Sequence, residues 1–323
     1  GNGTLEMGIF IVDLCGNEIL LQRDPPGCFD PMPLALRPRP PVIPSRRNFT
    51  DSTGTLLVQN VYQGTHLAGV EPGSVTALRV VESREKRFWT EGIWQTGMAP
   101  GSSLNRPAVG WIGFECKRIL GTVPVEADGS AFFEAPADTF IYFQLLDRRG
   151  MMVASMRSGT VLQQGENTGC VGCHESRLSA PRAMASEQPL ALERAPSRLL
   201  GWGGSDRPFS YARDVQPVFD RHCVRCHDFG KPAGETLNLA GDKTLFFNVS
   251  YQALFQGWRT DKALIDPLGA GPATILPAHS WGSSRSRLVR HLLAGHKDVE
   301  LPPADLERII AWIDISAPYY PDY

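Results

Sequence analysis

The 323-residue sequence lacks a long apolar run. A membrane-spanning helix needs roughly 20 such residues, whereas the longest apolar run is about GIFIV at 8–12. Its formal net charge is −2, so no electrostatic argument favours nucleic acid or an anionic membrane surface as a partner. The opening residues GNGTLEM contain no basic stretch and no long apolar stretch, and they predict no signal peptide. Catalytic triad and phosphate-loop signatures are missing as well. We therefore expect no membrane span and no nucleic-acid partner.

The residue composition changes along the chain and divides it into segments. The 42% hydrophobic content is too high for disorder, while 32 glycines and 26 prolines indicate many loops. The interpretation is multi-domain α+β, with these boundaries: 1–45 as an N-terminal hairpin and proline-rich extended segment, 46–185 as a β-rich domain, 186–210 as a linker, and 211–323 as a mainly helical domain.

Local patterns support this division. Two apolar runs around a Gly-Asn turn predict a hairpin at 8–22, and turns at Asp128-Gly129 and Arg149-Gly150 predict two more within an antiparallel, sandwich-like domain. In the last stretch, residues 283–294 predict a helix that ends at Gly295. A final helix follows Pro302 and Pro303, with a stripe of apolar residues at helical spacing: Leu306, Ile309, Ile310 and Ile313.

Two segments carry the chemistry, Cys170-Val171-Gly172-Cys173-His174 and Cys223-Val224-Arg225-Cys226-His227. Each is C-x-x-C-H, the attachment signature of c-type haem. On a helical turn, residues i, i+3 and i+4 share a face, so both thiols and the imidazole can converge on one macrocycle. A zinc site, a thiol redox pair or a disulfide framework would not need the histidine, and two such histidines by chance have odds of about one in two thousand.

The sequence therefore predicts two covalently bound c-type haems. Cys170, Cys173, Cys223 and Cys226 would form the thioethers, and His174 and His227 would bind iron. The β-rich domain then ends in a haem site, and the helical domain becomes cytochrome c-like. Because bacterial c-type haems are attached after export, we expect a periplasmic or otherwise extracytoplasmic location.

Methionine is absent after residue 184, which removes the usual distal ligand of a cytochrome c from the second domain. Four histidines remain: His222, His279, His291 and His296. His222 abuts the motif and fits a surface position, His279 lies in a loop, and His291 lies on the predicted helix. His296 follows Gly295, where cytochromes c place their distal ligand. We predict a bis-histidine second iron held by His227 and His296, and hence an electron carrier.

The distal ligand of the first iron stays open. Candidates near the motif are Met151, Met152, Met156 and Met184, with His66 farther away. Core packing of the methionines and a polar loop position for His66 are the alternatives. An open distal position would allow small-molecule chemistry at the iron.

Several segments resemble the hydrazine synthase alpha subunit family. They are GIFIVDLCGNEILLQRDPPGCFDPMPL, PRPPVIP, GTVPVEADGSAFFEAPA, IYFQLLD, MRSGTVLQQGENTGCVGCHE, DVQPVFDRHCVRCHD, LLAGH and IIAWIDISAPYY, in that order over nearly the whole chain. The resemblance implies the last strands of a β-propeller, then a middle domain with one c-type haem and a C-terminal domain with a second, bis-histidine haem. His296 matches the family's Gly-His position.

The resemblance also implies an activity. The family joins nitric oxide and ammonia in two steps, with condensation assigned to the first alpha-subunit haem, whose iron carries a tyrosine soon after the motif while the motif histidine turns to zinc. Here no tyrosine lies between His174 and Tyr211. We therefore expect His174 to stay an iron ligand and the main function to be di-haem electron transfer to redox partners, with other subunits of a complex among them. The alternative is a hydrazine synthase-like oxidoreductase acting on a small nitrogen species at the first haem.

Three cysteines are not used by the motifs: Cys15, Cys28 and Cys116. A Cys15–Cys28 disulfide and buried free thiols are both consistent with the sequence.

Overall fold

The structure is a computed structural model. It describes residues 7–32, 34–36, 38–42, 44–45, 47–64, 67–84, 116–173, 188–203, 206–244, 247–256, 264–267 and 276–322. The chain divides into two compact units, residues 1–45 and residues 46–323. No helix in the described part of the chain combines the length and the apolar character that a membrane crossing requires.

The first unit contains the predicted hairpin. Strands β1 (Ile9–Val12) and β2 (Glu18–Gln22) pair antiparallel. The Asp13 carboxylate accepts hydrogen bonds from the backbone N–H groups of Cys15 and Asn17, at 2.8 and 2.9 Å, and this closes the turn. The hairpin prediction is confirmed.

Seven strands of the second unit form two sheets. They are β3 (Thr53–Val58), β4 (Val75–Ser83), β5 (Lys117–Pro124), β6 (Ala131–Pro136), β7 (Ile141–Asp147), β8 (Met152–Ser155) and β9 (Asn167–Cys170). One sheet has the order β6-β3-β9 and the other β5-β4-β7-β8. Alternate residues of β3 and β6 are buried, as expected for strands with one face on a core.

The two sheets share one apolar core. Leu56 and Phe133 from the smaller sheet pack with Leu78, Phe143 and Val153 from the larger one. The rings of Phe133 and Phe143 meet edge to face with centroids 5.6 Å apart, an arrangement that aromatic pairs favour. This is the sandwich that the alternating pattern predicted.

Two details of the predicted sandwich were wrong. The Asp128-Gly129 turn does not close a hairpin, because β5 pairs with β4 whereas β6 pairs with β3, so the turn carries the chain between the sheets. The sandwich is also not wholly antiparallel, since β9 pairs with β3 in parallel. The Arg149-Gly150 turn does join β7 and β8 as an antiparallel hairpin.

The α-helices of the described residues all follow β9. They are α1 (Gln216–His222), α2 (Pro232–Thr236), α3 (Val249–Phe255), α4 (Arg287–Ala294) and α5 (Pro303–Asp314). The last helix is confirmed, with Ile309, Ile310 and Ile313 fully buried. The helix predicted at 283–294 is broken, because the backbone of Ser286 is extended and its hydroxyl donates to the Gly282 carbonyl at 2.9 Å.

A second apolar core joins the helices to the larger sheet. Tyr211, Tyr251 and Trp312 lie at its centre, and Tyr142 of β7 and Ile119 of β5 pack against the same cluster. The division into four segments stays a prediction, but strands of the larger sheet and the helices contact each other through this continuous core.

Candidate functional site

The second C-x-x-C-H segment continues the turn of α1. The N–H of Cys223 donates to the Phe219 carbonyl at 2.8 Å, and the N–H of His227 donates to the Cys223 carbonyl at 2.9 Å. These i to i+4 hydrogen bonds are helical, so Cys223, Cys226 and His227 fall on one side of the segment as predicted. Cys223 is half-buried and Cys226 is exposed.

The rings of His227 and His296 lie near each other on the same cavity. Their ring centroids are 6.0 Å apart and their planes are inclined by 34°. With metal–nitrogen bonds of about 2.0–2.1 Å and a nitrogen roughly 1.1 Å from each centroid, two imidazoles on opposite sides of one metal ion have centroids about 6.3 Å apart. The spacing therefore fits a six-coordinate iron between the two rings.

A backbone carbonyl fixes the orientation of His227. Its Nδ1 lies 2.9 Å from the Leu237 carbonyl oxygen, which can only accept, so Nδ1 carries the proton and Nε2 is left for a metal. The segment is held in place because the N–H of Leu239 donates to the His227 carbonyl at 2.9 Å. This partner could not be predicted from the sequence, because a backbone carbonyl ten residues away leaves no mark on the residue pattern.

His227, His296, Cys223 and Cys226 all line one cavity that is open to solvent. Its other walls are largely leucine: Leu237, Leu239, Leu264, Leu288 and Leu292. Apolar walls around a few convergent polar groups are typical of a cofactor site. The four predicted residues Cys223, Cys226, His227 and His296 are thus brought together.

Burial changes the chemistry of the cysteine pair. The apolar surroundings, and to a lesser extent the neighbouring Cys226, raise the pKa of the Cys223 thiol to about 11. A zinc site or a redox-active pair needs the thiolate. The surroundings of Cys223 therefore disfavour both alternatives and suit a sulfur that is covalently bonded to carbon.

The other histidines of this region have different places. His222 lies with its Nε2 3.0 Å from Asp305, a carboxylate that also accepts from Arg221 at 2.9 and 3.1 Å. Burial alone would raise the pKa of Asp305, but the hydrogen bonds from His222 and Arg221 outweigh burial and lower it. His291 is exposed at the cavity wall, and His279 is an exposed loop residue at positive φ.

The first C-x-x-C-H segment is built differently. Cys170 ends β9, and its carbonyl accepts from the N–H of Gln59 at 2.9 Å, while the N–H of Cys173 donates to the Gln63 carbonyl at 2.7 Å. The expectation of a helical turn was wrong here, because pairing with β3 and the loop after it holds the segment extended as far as Cys170. His174 lies outside the described residues.

A second cavity, also open to solvent, lies beside Cys170 and Cys173. Its walls come from the sandwich core and are mostly apolar: Val58, Val61, Leu78, Phe143, Leu145 and Ala154. Met156 and Ser158 also line it. The first motif therefore lies at the rim of an apolar space between the two sheets.

The methionines considered as ligands of the first iron lie in different parts of the fold. Met152 is buried against Trp281 and Leu146, and Met151 packs against the helical core. Only Met156 of the described candidates lines the cavity. His66 and Met184 lie outside the described residues.

Gly172 is required by the close approach of the chain to Gln63. A Cβ at Gly172 would lie 2.3 Å from the Gln63 carbonyl oxygen, the same atom that accepts from Cys173. We expect Gly172→Ala to separate these segments and to lower the free energy of unfolding by about 1–3 kcal/mol. Thermal unfolding measures this, with Val171→Ala as the matched control. An unchanged midpoint for Gly172→Ala would contradict the packing described.

The three remaining cysteines are free thiols. Cys15 is exposed and Cys28 is half-buried, so the structure has neither the disulfide nor a pair of buried thiols. Cys116 is buried, and burial raises its pKa to about 11, which makes this thiol unreactive.

The sequence and the fold both resemble known proteins. Residues 73–175, which include the first motif, match the family described as hydrazine synthase alpha subunit middle domain. Over 204 residues the chain is 24% identical to hydrazine synthase subunit alpha of Kuenenia stuttgartiensis. The aligned region covers 48% of this chain and 24% of that protein. The structure of Kuenenia stuttgartiensis hydrazine synthase superposes with a TM-score of 0.59 at 18% identity, over 84% of this chain and 44% of that one.

These findings confirm the resemblance predicted from the motifs, and the chain is hydrazine synthase alpha-like. The structural match shows a shared fold. The chain spans about a quarter of the length of the curated relative, so the activity of the whole relative does not transfer with the match. The relationship supports the oxidoreductase alternative more than the di-haem electron-transfer function that was the main expectation.

Proposed function

We propose that this hydrazine synthase alpha-like protein is a di-haem oxidoreductase that acts on a small nitrogen species at a first c-type haem, with a second, bis-histidine haem that carries electrons. The observation that carries the proposal is the contrast between the two cavities. One brings the ring centroids of His227 and His296 within 6.0 Å of each other, whereas the described lining of the other, beside its cysteine pair, includes no histidine.

The residues of the second site suit a closed coordination sphere. Cys223 and Cys226 would hold the haem by thioethers, and His227 and His296 would bind the iron from its two sides. Such a group would supply one-electron transfer. The Leu237 carbonyl holds the His227 ring in one tautomer and one orientation, which limits the rearrangement that accompanies a change of iron charge.

The residues of the first site suit access by a small molecule. Cys170 and Cys173 would attach the haem, and His174 would bind its iron on one side. Redox chemistry on a small nitrogen compound is what such a haem supplies when the opposite side is accessible. The apolar side chains of Val58, Leu78 and Phe143 would lie against the haem on the sandwich side, and a low-polarity wall strengthens electrostatic interactions beside it.

Location and partners follow from the same proposal. Because c-type haem is attached after export in bacteria, we propose a location outside the cytoplasm. Because the curated relative is named as a subunit, we propose that the chain works with other subunits or with a redox partner that exchanges electrons with the second haem.

Carbon monoxide binding to the reduced holoprotein tests the contrast between the two sites. Mass spectrometry should find two covalent haems per chain, and titration should find one carbon monoxide per chain, because the bis-histidine iron has no free position. Turnover is assayed with nitric oxide, hydroxylamine and ammonia. Cys170→Ala/Cys173→Ala should abolish turnover and carbon monoxide binding, while Cys223→Ala/Cys226→Ala should leave carbon monoxide binding at the first iron.

Two results would overturn the proposal. Chains without covalent haem would remove its basis. Two haems with no carbon monoxide bound and no turnover of any of these nitrogen compounds would reduce the protein to an electron carrier.

A further inference from the structure

We propose that the thioether of Met156 is a displaceable ligand of the first iron, which covers the reactive side when no substrate is present and gives way when a small molecule binds. The inference rests on the proposed function, because it concerns the same haem. It adds a residue that controls access to that haem.

The chemistry of the cavity lining singles out Met156. Among the described lining residues, the side chains away from the motif are hydrocarbon apart from those of Met156 and Ser158. A thioether sulfur is a common axial ligand of c-type haem iron, whereas an alcohol is not. Ser158 is an exposed residue in a bend, so Met156 is the side chain in this lining with both the chemistry and the burial of an iron ligand.

The backbone holds Met156 at the cavity wall. It directly follows β8, and its N–H donates to the Phe143 carbonyl at 2.8 Å, which continues the ladder with β7 by one residue. Phe143 also lines the cavity. The main chain at this position is therefore fixed, and only the side chain can move.

The side chain itself is adaptable. Met156 is half-buried and packs against both apolar cores, the one within the sandwich and the one shared with the helices. An unbranched thioether with three rotatable bonds can leave one position and pack in another at little cost. Met156 thus combines a fixed backbone, a side chain with two apolar surfaces to rest on, and a soft ligand atom.

Met156→Leu in the di-haem holoprotein tests the proposal, because leucine keeps the apolar volume and removes the sulfur. The ferric wild type should show the near-infrared charge-transfer band of methionine-ligated haem, and the variant should lose it. If the thioether occupies the iron 90–99% of the time, carbon monoxide should bind the reduced variant about 10- to 100-fold more tightly than the wild type. Met151→Leu, which changes a half-buried methionine outside the cavity, should change neither property.

The outcomes separate this inference from the proposed function. Equal carbon monoxide affinity and identical near-infrared spectra in wild type and Met156→Leu would overturn the role of Met156 and leave the catalytic proposal standing. A wild type that binds no carbon monoxide, beside a variant that does, would show a permanent methionine ligand. That result would reject displacement and also exclude catalysis at the first iron.

Discussion

Replacing His296 by alanine should convert the second haem from a closed to an open site. The thioethers from Cys223 and Cys226 do not depend on His296, so mass spectrometry should still find two haems per chain. The iron would lose the imidazole that faces His227 at a centroid distance of 6.0 Å. Carbon monoxide bound per reduced chain should rise from one to two, and the bis-histidine signal in the electron paramagnetic resonance spectrum should disappear.

A second substitution tests the same ligand through the reduction potential. A methionine in place of an axial histidine raises the potential of a c-type haem. We expect His296→Met to raise that of the second haem by on the order of 0.1–0.3 V, within the roughly 0.8 V range that axial ligands control.

His291→Ala is the matched control for both substitutions. His291 lines the same cavity wall and lies five positions before His296, on α4. The control should keep one carbon monoxide per chain and the wild-type potential. If His291→Ala opened the second iron and His296→Ala did not, the ligand assignment would be wrong.

Much of the fold and most of the second site could be predicted from local sequence patterns. The alternation in β3 and β6, the Arg149-Gly150 turn and the stripe on α5 all depend on near neighbours in sequence, and each was predictable. The pairing of His227 with His296 could be anticipated because Met is absent after residue 184 and Gly295 ends a helix.

Features set by distant residues were not predictable in the same way. The Asp128-Gly129 turn has the composition of a hairpin turn between β5 and β6. Whether β6 pairs with β5 or, as observed, with β3 depends on the packing of two whole sheets. The extended backbone that leads into the first motif and ends at Cys170 likewise results from parallel pairing with β3, more than a hundred residues earlier. The place of Met156 at the cavity wall depends on where the residue after β8 lies in the folded sandwich, which the local pattern does not show.

The contact between the helices and the larger sheet includes a buried polar network that the sequence did not indicate. Arg79 of β4 lies 3.6 Å from Asp314 at the end of α5, and both side chains are almost completely buried. Asp314 also accepts from the N–H and hydroxyl of Ser283, at 2.7 and 3.1 Å, and from the N–H of Met152 at 3.2 Å. Gln144 donates to the Asp314 carbonyl at 2.7 Å.

Asp314→Ala should be among the most destabilising single substitutions in this contact. It would leave the Arg79 guanidinium buried without its counter-charge, and it would remove the acceptor for Ser283 and Met152. Breaking a buried ion pair from one side costs about 3–5 kcal/mol. Chemical denaturation of the holoprotein measures the loss. Asp305→Ala removes a carboxylate on the same helix whose partner Arg221 is exposed and can be solvated instead, so it should cost only about 1 kcal/mol.

The double variant Asp314→Ala/Arg79→Met separates the loss of the charge pair from the loss of the other contacts. Because methionine carries no charge to leave unpaired, the double variant should be more stable than Asp314→Ala alone. Equal destabilisation in both would show that the hydrogen bonds to Ser283 and Met152, and not the charge of Arg79, make Asp314 necessary.

The pH dependence of unfolding provides an independent check on Asp314. Burial raises its pKa to about 6, and Arg79 and the hydrogen bonds reduce that rise without cancelling it. Between pH 3.8, its ordinary pKa, and about 6 the folded protein holds a proton on Asp314 that the unfolded chain has lost. The contribution of Asp314 to stability is therefore largest below this window and falls as pH rises through it. Asp314→Asn cannot ionise at this position and should remove that decline. The unfolding free energy of the variant relative to wild type should therefore rise from pH 4 to pH 6.

A difference that stays constant across this range would show that Asp314 does not titrate there.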